Sequence, residues 1–264
     1  MATQVPPSTP EPLACVKVIG TPIHIVGISE VLLLMERWIQ ECRGTRWIAV
    51  TGSHGLLEAH KHPEFKKILK SADLSVPDGR WAARAAGKKA SRAAKQVRGA
   101  DLLEAFCDLS SRKGYTSYFY GDTDEVLKLA SQRLTERYPT VKIVGTYSPP
   151  FRELTPEEDG QIVEAINRAS PDVLWVGLGL PKQEKWIFAH RDRVNARVVV
   201  AVGAAFKFVS GKVEPAPRWV SESGLEWLWR FAHEPRKVWH RVVVYGPQFA
   251  ALTVMELTGL KKFE

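Results

Sequence analysis

At 264 residues, 45% hydrophobic and 25% charged, the chain has the size and balance of one soluble globular domain, or one domain with an appendage. Its formal charge of +8 favours an anionic partner: a nucleotide, a phospholipid surface or a nucleic acid. Cys15, Cys42 and Cys107 lack C-x-x-C spacing, which fits a reducing compartment and excludes a disulfide framework and a zinc site. Residues 1–20 read as a flexible leader: Met1 to Pro12 is rich in Pro, Ser and Thr and lacks the basic start and apolar core of a signal peptide. No window offers the roughly 18 apolar residues of a spanning helix.

In chain order, His24 to Ile28 is a short strand candidate, and Ser29-Glu30 opens a helix with Val31, Leu32, Leu34, Met35, Trp38 and Ile39 on one broad face. Trp47 to Val50 is the next strand, ending at Thr51-Gly-Ser-His54. Helical stretches at Leu56–Lys61 and Glu64–Ala72 lead to the strand Asp73–Val76, stopped by Pro77-Asp-Gly79. Arg80 to Arg98 carries seven Lys or Arg and no acid, with alanines and Trp81 between them. Such a run suits a solvated helix face, or a strip that meets an anionic acceptor or lipid headgroups.

Asp101 is the expected cap of a helix through Leu109. Ser117–Tyr120 is a strand ending in Gly121-Asp-Thr-Asp124, and a helix and the strand Val141–Thr146 follow. Asp122-Thr-Asp124 has the form of a metal-binding D-x-D. However, it precedes an amphipathic helix, where Asp122 or Thr123 serves as N-cap and the acids complement the dipole. Thr155-Pro-Glu-Glu158 starts the next helix.

The run Asp172-Val-Leu-Trp-Val-Gly-Leu-Gly-Leu-Pro-Lys-Gln-Glu-Lys-Trp186 is the organising stretch: a buried strand, a turn with Gly177 and Gly179, and a helix beginning near Pro181. Unpaired amides and the dipole at that helix start favour an anion, Lys182 adds charge, and Gln183 offers a donor and an acceptor. An ordinary connection with turning glycines fits the same residues. Lys182 occupies the third glycine position of G-x-G-x-x-G, which argues against a nicotinamide enzyme. Strand and helix alternate from Thr116 to Gly203. The expected fold class is therefore α/β, a mostly parallel Rossmann-like sheet with helices on both faces, spanning 21–210 and holding its ligand at the carboxyl strand ends.

Residues 211–264 read as a C-terminal helical appendage. Four of the nine tryptophans, Trp219, Trp227, Trp229 and Trp239, fall there among Arg218, Arg230, Arg236, Lys237 and Arg241. Indoles alternating with cations suit a membrane interface; packing on the main domain suits them equally. Of the groups able to do chemistry, Asp78 sits on a tight turn where a carboxylate can be aimed into a cleft, or can simply bind backbone amides. Thr51, Ser53 and His54 end a strand and open a helix, suited to a hydroxyl, a phosphate or capping.

Four blocks resemble the WecG/TagA/CpsF family of bacterial glycosyltransferases. They are Ser71-Ala-Asp-Leu-Ser-Val-Pro-Asp-Gly79; Val97-Arg-Gly-Ala-Asp-Leu102; Val176 to Trp186; and Ala216-Pro-Arg-Trp219 with Gly224-Leu-Glu-Trp-Leu-Trp-Arg230 and Glu234-Pro-Arg236. The resemblance implies an inverting transfer from a UDP-sugar to a polyprenyl-diphosphate-linked saccharide at the cytoplasmic membrane face, without metal or other cofactor. It implies Asp78 as base with Thr51 beside it, Gln183 near the donor, and an appendage that reaches an anionic membrane and presents Arg230, Arg236, Lys237 and His240 to the diphosphate. Ser53 stands where the family often has Asn, and Lys237 and His240 replace arginines; Ser53-His54 leans towards the exopolysaccharide type. No nucleic acid is expected, although a non-catalytic nucleotide- or RNA-binding module, or an assembly scaffold, remains the alternative class.

Overall fold

The computed structural model describes residues 13–214, 216, 217, 220, 223, 228, 229, 231 and 239–263, with only the backbone of 240–242. It opens with an antiparallel hairpin, β1 (Cys15–Val18) and β2 (Thr21–His24). The turn between them, Ile19-Gly20, has positive φ at both residues, the twist that suits a two-residue hairpin. Residues 15–18, read above as leader, are thus a strand. The segment read as a strand from His24 to Ile28 divides at its first residue: β2 ends at His24, and α1 (Ile28–Glu41) starts at Ile28.

The main sheet comprises β3 (Arg46–Thr51), β4 (Leu74–Pro77), β5 (Thr116–Gly121), β6 (Lys142–Tyr147), β7 (Val173–Gly177) and β8 (Val198–Ala201). All are parallel, in the order β4-β3-β8-β7-β5-β6. The two central strands are buried throughout because helices cover both faces, so they read as unbroken apolar runs, Val173-Leu-Trp-Val in β7 and Val198-Val-Val-Ala in β8. Edge strand β6 instead alternates exposed with half-buried residues.

One face is covered by α1, α5 (Gly99–Lys113), α6 (Asp124–Arg137) and α9 (Ala205–Val209), packed around Met35, Phe106, Phe119, Trp175 and Phe206. The other carries α3 (Pro63–Lys70), α7 (Pro156–Ala169) and α8 (Lys182–His190), around Trp47, Phe65, Ile166, Leu174 and Ile187. Connections running towards β6 use the first face and those running towards β4 use the second, as a single crossover hand requires.

Local chemistry fixes the helix starts. Thr155 caps α7 in a capping box with Glu158, and the Thr123 hydroxyl accepts the Val126 amide at the head of α6. Asp101 does not cap α5. Arg98 holds the cap position, and Asp101 lies one turn in, paired with it at 2.8 Å.

A third apolar cluster joins the hairpin to α2 (Ser53–Lys61), α4 (Arg80–Lys89) and the C-terminal helix Gly246–Leu257. Phe249 is buried there among Ile19, Ile23, Leu56, Ala82 and Ala86. Glu256 secures the same helix, taking Lys89 Nζ at 2.6 Å and the Ile19 amide at 3.0 Å. The end of the chain thus shares the core of the main domain. Among the described residues no helix is long and apolar enough to cross a membrane.

Candidate active site

β3 and β4 end side by side, with Thr51 in register with Pro77. The Asp78 amide donates to the Thr51 carbonyl at 2.9 Å, and the Val97 amide donates to the Pro77 carbonyl at 2.9 Å. A Cβ on Gly52 would stand 2.9 Å from the Asp78 carbonyl oxygen, so only glycine lets the two strand exits approach this closely. Gly79, at φ +83, then turns the chain into α4. The result is a half-buried Asp78 beside a buried Thr51 at the carboxyl edge of the sheet, where open α/β folds bind ligands. The Thr51 hydroxyl is buried and has no hydrogen-bond partner among the described residues. Thr51→Val should therefore keep or raise stability, by about 1 kcal/mol, while lowering turnover about 100-fold if the hydroxyl serves a ligand. Thermal melting and initial rates on the same preparation check both halves.

Two helix starts flank this pair. α2 begins after Gly52 and α4 after Gly79; neither has a side-chain cap or an acid in its first turn. Their amides and dipole ends supply positive potential at the β3 and β4 exits. Ser53 and His54 sit half-buried in the first turn of α2. The His54 ring stacks on Tyr245 at 4.7 Å, so the C-terminal segment closes over that helix start.

The start of α8 lies close to this site. Gly177 and Gly179 bring the chain off β7, and Pro181 holds the cap position. A Cβ on Gly55 would meet Leu180 and Thr51 at 2.9 Å each, which ties this loop to the first site. Lys182 is exposed. Gln183, however, is 3% exposed and braces the fold: its Oε1 accepts the Gly203 amide at 2.9 Å, and its Nε2 donates to Glu184 Oε1 at 2.9 Å. The Gln183 amide donates to the Gly179 carbonyl at 3.0 Å. The start of α8, like those of α2 and α4, has no side-chain cap, but it carries Glu184 in its first turn, where α2 and α4 have no acid.

Glu184 was not foreseen. It is fully buried, its Oε2 has no hydrogen-bond partner among the described residues, and burial pushes its carboxyl up to about 7. The sequence signal was its position three residues before Ile187, on the same helix face.

Asp122 accepts the Thr123 amide at 3.0 Å, with Lys207 Nζ at 3.8 Å, and burial raises its pKa. Among the described residues no group of three His, Cys, Asp or Glu is placed to hold a metal. Arg230, Arg236 and Lys237 lie outside the described residues. His240 opens the π-helical segment His240–Tyr245 that leads to Tyr245.

Residues 16–262 match the model of the glycosyl transferase WecG/TagA/CpsF family. The chain belongs to that family. An N-acetylglucosaminyldiphosphoundecaprenol N-acetyl-beta-D-mannosaminyltransferase of Bacillus subtilis is 28% identical over 205 residues, which are 78% of this chain and 77% of that protein. A protein of the same name from Staphylococcus aureus is 26% identical over 172 residues, 65% of this chain and 66% of its own length. The family match spans the β3 and β4 exits, the α8 start and the C-terminal helix alike, so these parts form one family architecture.

Proposed function

We propose that this chain is an inverting glycosyltransferase moving a sugar from a UDP-sugar to a polyprenyl-diphosphate-linked saccharide at the cytoplasmic face of the membrane. The observation that carries the reading is Asp78, whose backbone is fixed beside Thr51 between the starts of α2 and α4, which have no side-chain cap. Asp78 takes the proton of the acceptor hydroxyl as that oxygen attacks the anomeric carbon from the side opposite UDP. One displacement inverts the centre, and the C–O bond to UDP breaks as the new one forms. The leaving diphosphate gains charge, which the amides of α2 and α4 stabilise, with Lys182 and the cations of the tail, Arg230, Arg236, Lys237 and His240, as further partners. Gln183 acts by holding the Gly203 turn.

The names of the Bacillus and Staphylococcus relatives favour N-acetylmannosamine as the sugar and an N-acetylglucosaminyl diphospholipid as the acceptor, rather than the exopolysaccharide type suggested by Ser53-His54. The test is UDP release from a panel of UDP-sugars with that acceptor, with and without EDTA. Turnover with UDP-N-acetylmannosamine, unchanged by EDTA, is the expected result. Silence across the panel with retention of RNA would overturn it.

A further inference from the structure

α4 is built unlike the other surface helices. From Gly79 to Ala100 there is no Asp or Glu. Ala82, Ala83, Ala85 and Ala86 are buried, so small residues press this helix against the hairpin, α2 and the C-terminal helix. Trp81, Arg84 and Lys88 are exposed and fall at i, i+3 and i+7, one stripe of the opposite face. The Arg84 guanidinium stands 5.6 Å over the Trp81 ring. Arg92 and Lys95, just past the helix, are exposed as well. Lys89 and Arg98 are paired with Glu256 and Asp101; Arg84, Lys88 and Lys95 make no ion pair among the described residues. Solvated faces elsewhere mix signs: α7 opposes Glu164 to Arg168, and α5 opposes Asp108 to Arg112. A stripe of one sign repels itself until it meets anions.

We propose that this α4 stripe is a docking surface for an anionic phospholipid bilayer. Charge complementarity is the first ground. The second is the indole: a half-exposed Trp81 with a cation stacked on it suits the headgroup level, where rings insert and long basic side chains reach phosphates. The third is exposed apolar surface on the neighbouring C-terminal helix. Lys89 ties α4 to Glu256, and the chain around Glu256 exposes Val254, Met255, Leu257 and Leu260. A strip for RNA would gain nothing from those aliphatic neighbours. α4 starts two residues after Asp78, so docking by this stripe holds the β4 exit at the bilayer surface. The inference deepens the proposed reaction and rests on it only for the lipid-linked acceptor.

The test compares the full chain with Arg84→Gln/Lys88→Gln. Both side chains are exposed and make no ion pair among the described residues, so the variant should melt like the parent. Vesicles of equal parts phosphatidylglycerol and phosphatidylcholine, and of phosphatidylcholine alone, are sedimented with each protein. At about fivefold per cation, the double variant should bind the anionic vesicles roughly 25-fold more weakly, with a shallower salt dependence and no change on phosphatidylcholine alone. Trp81→Ala should weaken binding to the anionic vesicles further. Turnover on a short-chain, water-soluble acceptor should persist in the double variant, while turnover on an acceptor embedded in anionic vesicles falls. Undiminished partition of the double variant would overturn the proposal, whether or not any sugar is transferred. So would retention of an RNA oligomer by the parent with no binding to vesicles. Loss of all turnover in the parent, with vesicle binding still sensitive to Arg84 and Lys88, would sink the transferase reading and leave the docking surface standing.

Discussion

Asp78→Asn should lower turnover by roughly 10²- to 10⁴-fold, the usual contribution of a positioned general base, while UDP affinity stays unchanged. The substitution keeps the shape of the side chain. The contacts that define the turn are made by the backbone, from the Asp78 amide to the Thr51 carbonyl and from the Val97 amide to the Pro77 carbonyl, so they survive. The close approach at Gly52 is likewise to the Asp78 carbonyl and not to its carboxylate. What changes is the ability to accept a proton from the acceptor hydroxyl. Donor binding, set in this reading by amides and cations, should persist. Initial rates with saturating donor, paired with UDP titration by calorimetry, separate the two. A variant with normal turnover would remove Asp78 from the base role. A variant that loses UDP binding as well would mean that Asp78 belongs to the donor site.

The parts of the molecule legible in the sequence were those with a local signature. Asp172 to Trp186 declared a buried strand, a turn and a helix, because a parallel strand covered on both faces must be apolar throughout. Thr155 and Glu158 marked their helix by the chemistry of the capping box. β1 was not legible, because Val16 and Val18 alternate with Cys15 and Lys17 over only four residues, just after a proline-rich stretch. The C-terminal helix was ambiguous for the opposite reason: Gly246–Leu257 is apolar on most sides, so periodicity could not say that Phe249 is the residue that packs. Strand order was out of reach of any local rule. β3 pairs with β8, Arg46 opposite Val198, and no turn or cap between them specifies that contact. The site shows the same division. Asp78, between proline and glycine, stood out. That Gln183 braces the Gly203 turn, with Glu184 buried behind it, followed only from seeing where the two side chains point.

Glu184 also makes stability depend on pH in a direction opposite to that of most carboxylates. Its carboxyl titrates near 7 in the folded chain, against about 4.5 when unfolded, because burial disfavours its charged form and Gln183 is its one side-chain partner. Between those values the folded chain holds a proton that the unfolded chain has released. Stability from this group is therefore complete below about pH 4.5 and is lost as pH rises towards 7 and beyond. A shift of this size corresponds to about 3 kcal/mol, or roughly 6 to 12 °C in melting temperature for a domain of this size. Glu184→Gln has no proton to lose. Its amide oxygen can still accept from Gln183 Nε2, which keeps the Gln183 oxygen on the Gly203 amide. The variant should melt with the parent at pH 5 and well above it at pH 8. Parallel melting curves across that range would mean that the Glu184 carboxylate is charged and satisfied in the folded chain. The same comparison reaches the chemistry. If the brace from Glu184 through Gln183 to Gly203 shapes the donor pocket, turnover of the parent should fall on the alkaline side as Glu184 ionises. The fall should be absent in Glu184→Gln and present in Thr51→Val, which leaves the brace intact.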